Sequence, residues 1–153
     1  MMKSKQLTIE KKNLSIPFCS MMLIMVIAGL AYAVDKKDLS SYEEKLLGSI
    51  NQYRVQKGLD PLSFDKVLQK FAEIHSRYME STDTLTHTGF DDRYKQCGRV
   101  LCLENVGWNF VTPEDQFQAW KNSTGHNENM LNKRIRHAGI SKVGSYVTFF
   151  ACD

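Results

Sequence analysis

Near its C-terminal end the chain reads AGISKVGSYVTFFA (residues 138–151). The segment Tyr146 to Ala151 is rich in β-branched and aromatic residues, which is typical of a strand. Val143-Gly144-Ser145 separates it from a second short apolar segment, Ala138 to Lys142, and a short connection that contains glycine is typical of a hairpin. These residues predict a terminal β-hairpin.

Two helices are predicted upstream. The sequence Ser40-Ser41-Tyr42-Glu43 has the form of a capping box, and apolar residues follow it at spacings of three and four as far as Gly58. A second helix is predicted to begin at Ser63, and its apolar stripe includes His75. Residues 81–84 are predicted to form a loop, and the polar segment 86–99 is predicted to be irregular.

The middle of the chain adds a strand and a third helix. Residues 100–110 are mostly apolar, with β-branched and aromatic side chains, and predict a strand. Thr112 and Pro113, followed by two acidic residues, mark the start of a helix that runs to about Asn122. Residues 123–132 predict a further short helical turn. Consecutive hairpin strands with helices to cover the sheet indicate a layered α+β domain.

The N-terminal segment is predicted to direct export. Four lysines precede an uncharged stretch, residues 14–34, which contains Ala31-Tyr32-Ala33. This pattern predicts a secretory signal peptide at residues 1–33 that is cleaved after Ala33, so that the protein is secreted, extracellular or periplasmic. An uncleaved anchor is the alternative, because the stretch is long enough to span a bilayer. A short lead (residues 34–39) and one domain (residues 40–153) would follow.

Charge argues against some partners. Four of the 20 basic and one of the 17 acidic residues lie in residues 1–33, so the remaining 120 residues carry 16 of each. A domain without net charge gives no bulk attraction for nucleic acid, and it gives no reason to expect binding to an anionic membrane after signal cleavage.

Three cysteines follow the predicted cleavage point: Cys97, Cys102 and Cys152. In an oxidising compartment two of them are expected to pair. The local pair Cys97–Cys102 is slightly favoured, because Gly98 eases a tight loop between them. Pairing of Cys102 with Cys152 is the alternative if both lie on neighbouring strands.

Two of the four histidines are candidates for chemistry. His87 and His126 each lie in a polar segment with small neighbours, where functional side chains are common, whereas His75 is interpreted as a buried structural histidine. Glu104 is an acid within an otherwise apolar strand, so it either faces solvent or is a buried partner of another group.

An ordered series of short motifs resembles the CAP superfamily of cysteine-rich secretory proteins, antigen 5 and pathogenesis-related proteins, also called the SCP domain. The similarity runs from about Leu46 to Phe150 and is carried by eight pieces of sequence, which are Asn51-x-x-Arg54, Gly58-Leu59-x-Pro61-Leu62, Ala72-x-x-His75-Ser76-x-x-Met79, Leu85-Thr86-His87-Thr88-Gly89, Glu104-Asn105-Val106, Ala119-Trp120, Ser123-x-Gly125-His126-x-x-Asn129-Met130-Leu131 and Gly139-Ile140. The short spacing from Trp120 to His126 resembles the compact microbial branch. The resemblance implies a three-layer α-β-α sandwich around a central antiparallel sheet.

The resemblance also implies a cleft with two histidines and two glutamates. By motif match these are His87, His126 and Glu104, whereas Ser123 occupies the position of the second glutamate. Leu103 stands where the family usually has glycine. Some members bind a divalent cation such as zinc through the two histidines, so His87 and His126 are the candidate metal ligands here.

Three functions are compatible with this pattern. The first is a secreted binding module for a small apolar ligand, such as a lipid or sterol, or for a protein partner. The second is a structural domain with a buried histidine–glutamate network. The third is a metal-dependent hydrolase with Glu104 as general base. An enzyme is the less favoured interpretation, because no serine or cysteine is marked as a nucleophile by a neighbouring base. Ser123 near His126 is a candidate nucleophile, but it is interpreted as a turn or cap residue.

Overall fold

The computed structural model describes residues 41–153, which form five helices and four strands. In chain order these are α1 (Ser41–Gln56), β1 (Ser63–Phe64), α2 (Lys66–Thr82), α3 (Phe90–Cys97), β2 (Cys102–Trp108), α4 (Pro113–Asn122), α5 (Thr124–Met130), β3 (His137–Val143) and β4 (Tyr146–Cys152). The signal peptide predicted for residues 1–33, the lead at 34–39 and the capping role of Ser40 lie outside the described residues. No helix between residues 41 and 153 combines the length and the apolar character needed to cross a bilayer.

The four strands of the described residues form one sheet in the order β1-β3-β4-β2. The predicted terminal hairpin is confirmed as β3 and β4, which pair antiparallel, and β2 pairs antiparallel with the other edge of β4. The two residues of β1 pair parallel with β3. The sheet is therefore mixed, and its three long strands are antiparallel, as the resemblance implies.

Helices cover both faces of the sheet. Successive residues of β4 point to opposite faces: Phe149 packs with residues of α1 and α4, whereas Phe150 packs with residues of α2. All seven residues of β4 are buried, so neither face of this strand is left in water. The expected α+β, three-layer α-β-α sandwich is confirmed.

Gly139 allows α2 to lie directly on the sheet. A Cβ atom at this position of β3 would lie 2.0 Å from the backbone nitrogen of Gln69, which belongs to α2. Real Cβ atoms do not approach backbone this closely, so a larger residue would push the helix away from the sheet. The glycine thus sets the distance between the two layers.

The start of α2 differs from the prediction. Ser63 lies in β1, and Asp65 caps the helix, because its carboxylate accepts hydrogen bonds from the backbone nitrogens of Val67 and Leu68. The helix then continues through Thr82, into the segment predicted to be a loop. Ser63 and Phe64, which the local sequence assigned to the helix, thus pair with β3 instead.

The segment predicted to be irregular contains helix α3. Gly89 and Gly98 lie at its two ends in the left-handed conformation. Asp91 and Asp92 occupy its first turn, where negative side chains stabilise a helix by interacting with its dipole. The eight-residue helix lies beside the start of β2. It thereby positions Arg93 against Glu104 and Cys97 against Cys102.

Candidate functional site

Glu104 is the centre of a buried polar cluster. Its side chain projects from β2 and is only 1% exposed. The ring of His87, in the loop between α2 and α3, lies against it with Nδ1 2.9 Å from Glu104 Oε1. The structure therefore brings these two candidate residues into direct contact, although 17 positions separate them in the sequence.

Arg93 and the Glu104 carboxylate form a bidentate ion pair. Arg93 Nη2 donates to Oε2 at 2.7 Å and to Oε1 at 2.9 Å, and Nε donates to Oε2 at 3.0 Å. Arg93 Nη1 also donates to the carbonyl oxygen of Thr88 at 3.0 Å, which fixes the loop that carries His87. Both carboxylate oxygens thus accept hydrogen bonds from Arg93. Glu104 is therefore a buried structural group, and its oxygens are not free to accept a proton from a substrate.

The contact with Glu104 fixes how His87 faces outward. A carboxylate only accepts hydrogen bonds, so Nδ1 of His87 carries the hydrogen. The other ring nitrogen, Nε2, is then the one available to a ligand, and about half of the His87 side chain is exposed. This arrangement, in which a carboxylate orients a half-exposed imidazole, is common among histidines that bind metals or polar ligands.

His75 completes the buried side of the cluster. Its ring lies on α2 with Nε2 2.7 Å from the carbonyl oxygen of Thr86 and 3.6 Å from Glu104 Oε1. Burial lowers the pKa of His75, an effect that outweighs the opposing attraction of Glu104, so the ring is neutral at neutral pH and donates to Thr86. Its Nδ1 is buried without a hydrogen-bond partner among the residues described. His75 is therefore a buried structural histidine, as predicted.

His126 lies on α5, which two asparagines attach to β2. Asn105 Nδ2 donates to the carbonyl oxygen of His126 at 3.0 Å, and Asn129 Nδ2 donates to Asn105 Oδ1 at 2.9 Å. Burial, and then the nearby charge of His87, lower the pKa of His126. His126 is therefore neutral at neutral pH.

The candidate residues line two cavities. The first, the glutamate cleft, has a volume of about 310 Å³ and is lined by His87, Phe90, Cys102, Leu103, Glu104 and Asn129. The second, the tryptophan pocket, has a volume of about 260 Å³ and is lined by Leu85, Val106, Gly107, Trp108, Phe110, Gln116, Ala119, Trp120, Ser123 and His126. His87 belongs to the cleft, whereas His126 and Ser123 belong to the pocket.

The side chains offer a poor set of ligands for a tightly held metal. Between residues 41 and 153, the one group of three or more His, Cys, Asp or Glu residues with closely clustered ligand atoms is the cysteine group, Cys97, Cys102 and Cys152. Two of those sulfurs form a disulfide. Glu104 is engaged by Arg93, so His87 and His126 would bind a cation with two imidazoles, fewer than the three or four protein ligands of typical zinc sites.

The disulfide joins Cys102 to Cys152, and the slightly favoured pair Cys97–Cys102 is wrong. The two bonded residues lie directly opposite each other on β2 and β4, with their Cα atoms 4.1 Å apart. Sheet register therefore brings together residues 50 positions apart, and the alternative pairing, on neighbouring strands, is the one confirmed. Cys97 is a free, partly exposed cysteine.

Comparison with known proteins assigns the family. The family model described as the cysteine-rich secretory protein family, CAP, matches residues 47–153. The chain belongs to the CAP family. The predicted resemblance to this superfamily is confirmed, and solved SCP-domain structures from bacteria support the microbial type.

Two curated relatives of this CAP domain come from Bacillus subtilis (strain 168). The uncharacterized protein YkwD is 33% identical over 119 residues, which cover 70% of this chain and 44% of YkwD. The uncharacterized membrane protein YlbC is 29% identical over 121 residues, which cover 74% of this chain and 35% of YlbC. The chain thus matches less than half the length of either relative.

Solved structures share the fold. An extracellular SCP-domain protein from Bacillus anthracis superposes with a TM-score of 0.69 at 22% identity, covering 72% of this chain and 40% of its own. An outer surface protein from Borrelia burgdorferi gives a TM-score of 0.69 at 21% identity, covering 78% of this chain and 96% of its own. These CAP neighbours are extracellular or surface proteins.

Arg93 is a site residue of this CAP domain that the sequence patterns did not predict. The residue lies in DDRYKQC (residues 91–97), a polar stretch with acids at its start, a lysine near its end and glycine directly after it. Those are the signals of a short helix. Recognising the helix would have placed Arg93 on a defined element, although its contact with Glu104 depends on the tertiary fold.

Proposed function

We propose that this CAP domain is an exported binding module that takes an apolar group of a small ligand or of a protein partner into the tryptophan pocket. The observation that supports the proposal is the mixed character of this pocket. Aromatic and aliphatic side chains form most of its wall, whereas His126, Ser123 and Gln116 add polar atoms. Apolar walls with a few polar groups are typical of ligand sites.

The two tryptophans of the pocket differ in exposure, and the exposed one is available for binding. Trp120 is buried, and its indole nitrogen donates to the carbonyl oxygen of Val106 at 2.9 Å, so it belongs to the core. Trp108 is 49% exposed and Leu85 is 50% exposed. Exposed large apolar side chains beside a cavity often mark a contact surface.

The volume limits what the pocket can hold. At about 260 Å³ it lies just below the range of roughly 300–1,000 Å³ that is common for pockets enclosing a drug-sized ligand. It therefore suits the end of an extended apolar chain, or one apolar side chain of a partner, better than a complete bulky ligand. The buried carboxamide of Gln116, which has no hydrogen-bond partner among residues 41–153, would suit a polar atom next to that apolar group.

A tryptophan fluorescence titration tests the proposal with three probes: dodecanoate, cholesterol sulfate and N-acetyl-leucine amide. We expect a saturable change with at least one probe and a loss of at least tenfold in affinity in Ala119→Phe, which fills the pocket. Val111→Phe is the matched control, because Val111 is 85% exposed and lies outside the pocket. Unsaturable signals for all probes, or unchanged affinity in Ala119→Phe, would count against the pocket.

A labile divalent-cation site is a second candidate function. Its support is the orientation of His87 by a carboxylate and the neutral state of His126. Zinc titration by calorimetry should show weak binding that His87→Ala and His126→Ala each reduce, with His137→Ala as the control. If neither variant alters the affinity for zinc, the cation site is wrong, while the binding pocket remains testable by fluorescence.

Hydrolysis with Glu104 as general base gains no support from the geometry. A general base must reach the proton that it removes. Glu104 is buried, and Arg93 occupies both of its oxygens. Its contacts instead match the second sequence interpretation, a buried network that rigidifies the domain and, here, orients His87.

A further inference from the structure

We propose that Cys97, Cys102 and Cys152 form a thiol–disulfide exchange site beside the glutamate cleft, in which the Cys97 thiolate displaces Cys152 from Cys102. This inference does not depend on the proposed binding function. It rests on the placement of three sulfur atoms by the helix α3 and the strands β2 and β4.

The three sulfurs lie close together. Cys97 Sγ is 3.2 Å from Cys102 Sγ, and all three sulfur atoms lie within 4.8 Å of one another. Cys97 is the last residue of α3, and the left-handed turn at Gly98 leads the chain back towards β2. The free thiol is thus held beside one sulfur of an existing disulfide, which supplies the proximity that exchange requires.

Burial gives the three cysteines different roles. Cys152 is fully buried and Cys102 is 6% exposed, so thiols in solution have little access to the disulfide. Cys97 is partly exposed and is the sulfur that a reagent reaches first. Its thiol donates to the carbonyl oxygen of Tyr94, about one turn earlier in the helix, at 3.0 Å, and this contact holds the thiol in place at the helix end.

The exchange is balanced without an oxidant. Cys97 loses its proton to solvent, and its thiolate attacks Cys102 Sγ. A Cys97–Cys102 bond forms as the Cys102–Cys152 bond breaks. Cys152 leaves as a thiolate and takes up a proton, so the count of disulfides, thiols and electrons is unchanged.

Exchange would alter the support of the glutamate cleft. Arg93 lies one helical turn before Cys97, and Glu104 lies two residues after Cys102 on the same face of β2. The new bond would therefore tie α3 to β2 next to the Arg93–Glu104 ion pair, and would remove the covalent link between β2 and β4. Cys102 also lines the cleft with His87 and Glu104.

The test uses the full chain with Cys19→Ser, so that only the three cysteines of the site remain. Samples are held at pH 6, 7 and 8 and quenched in acid. They are then alkylated with N-ethylmaleimide under denaturing acidic conditions and mapped by mass spectrometry without reduction. We expect a fraction labelled at Cys152 and bridged between Cys97 and Cys102. Its rate of appearance should rise about tenfold per pH unit while the thiolate is the minor form.

A second variant keeps the test independent of how far the exchange proceeds. In Cys152→Ser, mild oxidation with glutathione disulfide should join Cys97 to Cys102, whereas Cys97→Ser should retain Cys102–Cys152 and never carry label at Cys152. Label confined to Cys97 at every pH and time in the parent chain would overturn the proposal. Two free thiols in oxidised, folded Cys152→Ser would overturn it as well, because Cys97 would then be unable to bond Cys102.

Discussion

Replacing Arg93 with methionine leaves the Glu104 carboxylate buried without its guanidinium partner. The two side chains are 9% and 1% exposed, so water screens their attraction little, and three charge-assisted contacts of 2.7–3.0 Å are lost together. Removing one member of a buried ion pair typically costs about 3–5 kcal/mol. Since domains of this size are stable by about 5–15 kcal/mol, Arg93→Met should remove a large part of the free energy of unfolding.

A double-mutant cycle separates the pair from simple loss of packing. Glu104→Gln keeps the shape of the side chain but leaves Arg93 without a carboxylate, and it should cost a similar amount. The double variant leaves neither charge unpaired, so its loss should fall short of the sum of the single losses by roughly 1–3 kcal/mol. Urea denaturation followed by circular dichroism at pH 7 measures each value.

The matched control is the exposed pair between Arg77 and Glu73 on α2, whose side chains are 65% and 30% exposed. Changing Arg77 to methionine should cost less than about 1 kcal/mol, since water and salt screen such a pair. If the Arg93 and Glu104 variants each cost no more than this control, or if their effects simply add, then the ion pair does not hold the site together as the geometry indicates.

Three further predictions concern stability. Gly139→Ala should prevent α2 from packing directly on the sheet and should sharply lower the midpoint of thermal unfolding. Gly48→Ala is the control: this helical glycine has open space around it, so alanine there should raise the free energy of unfolding by up to about 1 kcal/mol. An equal effect of the two substitutions would contradict the packing argument. Replacing Cys152 with serine removes a crosslink spanning 50 residues, so it should cost about 4 kcal/mol by the chain-entropy relation, measured by urea denaturation against the disulfide-bonded parent protein. Burial lowers the pKa values of His75 and His126 in the folded protein. As the pH falls, these histidines therefore bind protons in the unfolded chain before they do so in the folded chain. The free energy of unfolding should thus be constant at higher pH and should fall as the pH drops below about 6.5. Each histidine contributes at most about 1.4 kcal/mol per pH unit, and a His75→Gln variant whose stability keeps the full pH dependence of the parent would contradict its part.

Local patterns predicted the elements that carry strong signals of their own. The terminal hairpin follows from a β-rich segment and a connection that contains glycine, and helix α4 follows from Thr112, whose hydroxyl accepts from the backbone nitrogen of Asp115 as an N-cap. The buried stripe of α2, including His75, follows from helical spacing. These signals act within a few residues, so an isolated stretch of sequence is enough to recognise them.

The errors fall where distant residues compete with local preference. Ser63 could begin a helix, but its backbone nitrogen donates to the carbonyl oxygen of Arg136, which makes it part of β1. Cys97 is near Cys102 along the chain, yet Cys152 lies directly opposite Cys102 in the sheet. In both cases the winning partner is a residue on another part of the sheet, which local sequence does not specify.

The sequence by itself determined the layered α+β class, the CAP resemblance and the identity of the candidate side chains. Their assembly required the folded chain: Glu104 meets His87, Arg93 and His75 because a strand, a loop and two helices converge, and both of its oxygens are then occupied. The physical reason is that spacing and capping act over one or two turns of helix, whereas contacts across layers depend on strand register and on where each helix lies on the sheet. The same register placed Cys152, rather than Cys97, in the disulfide.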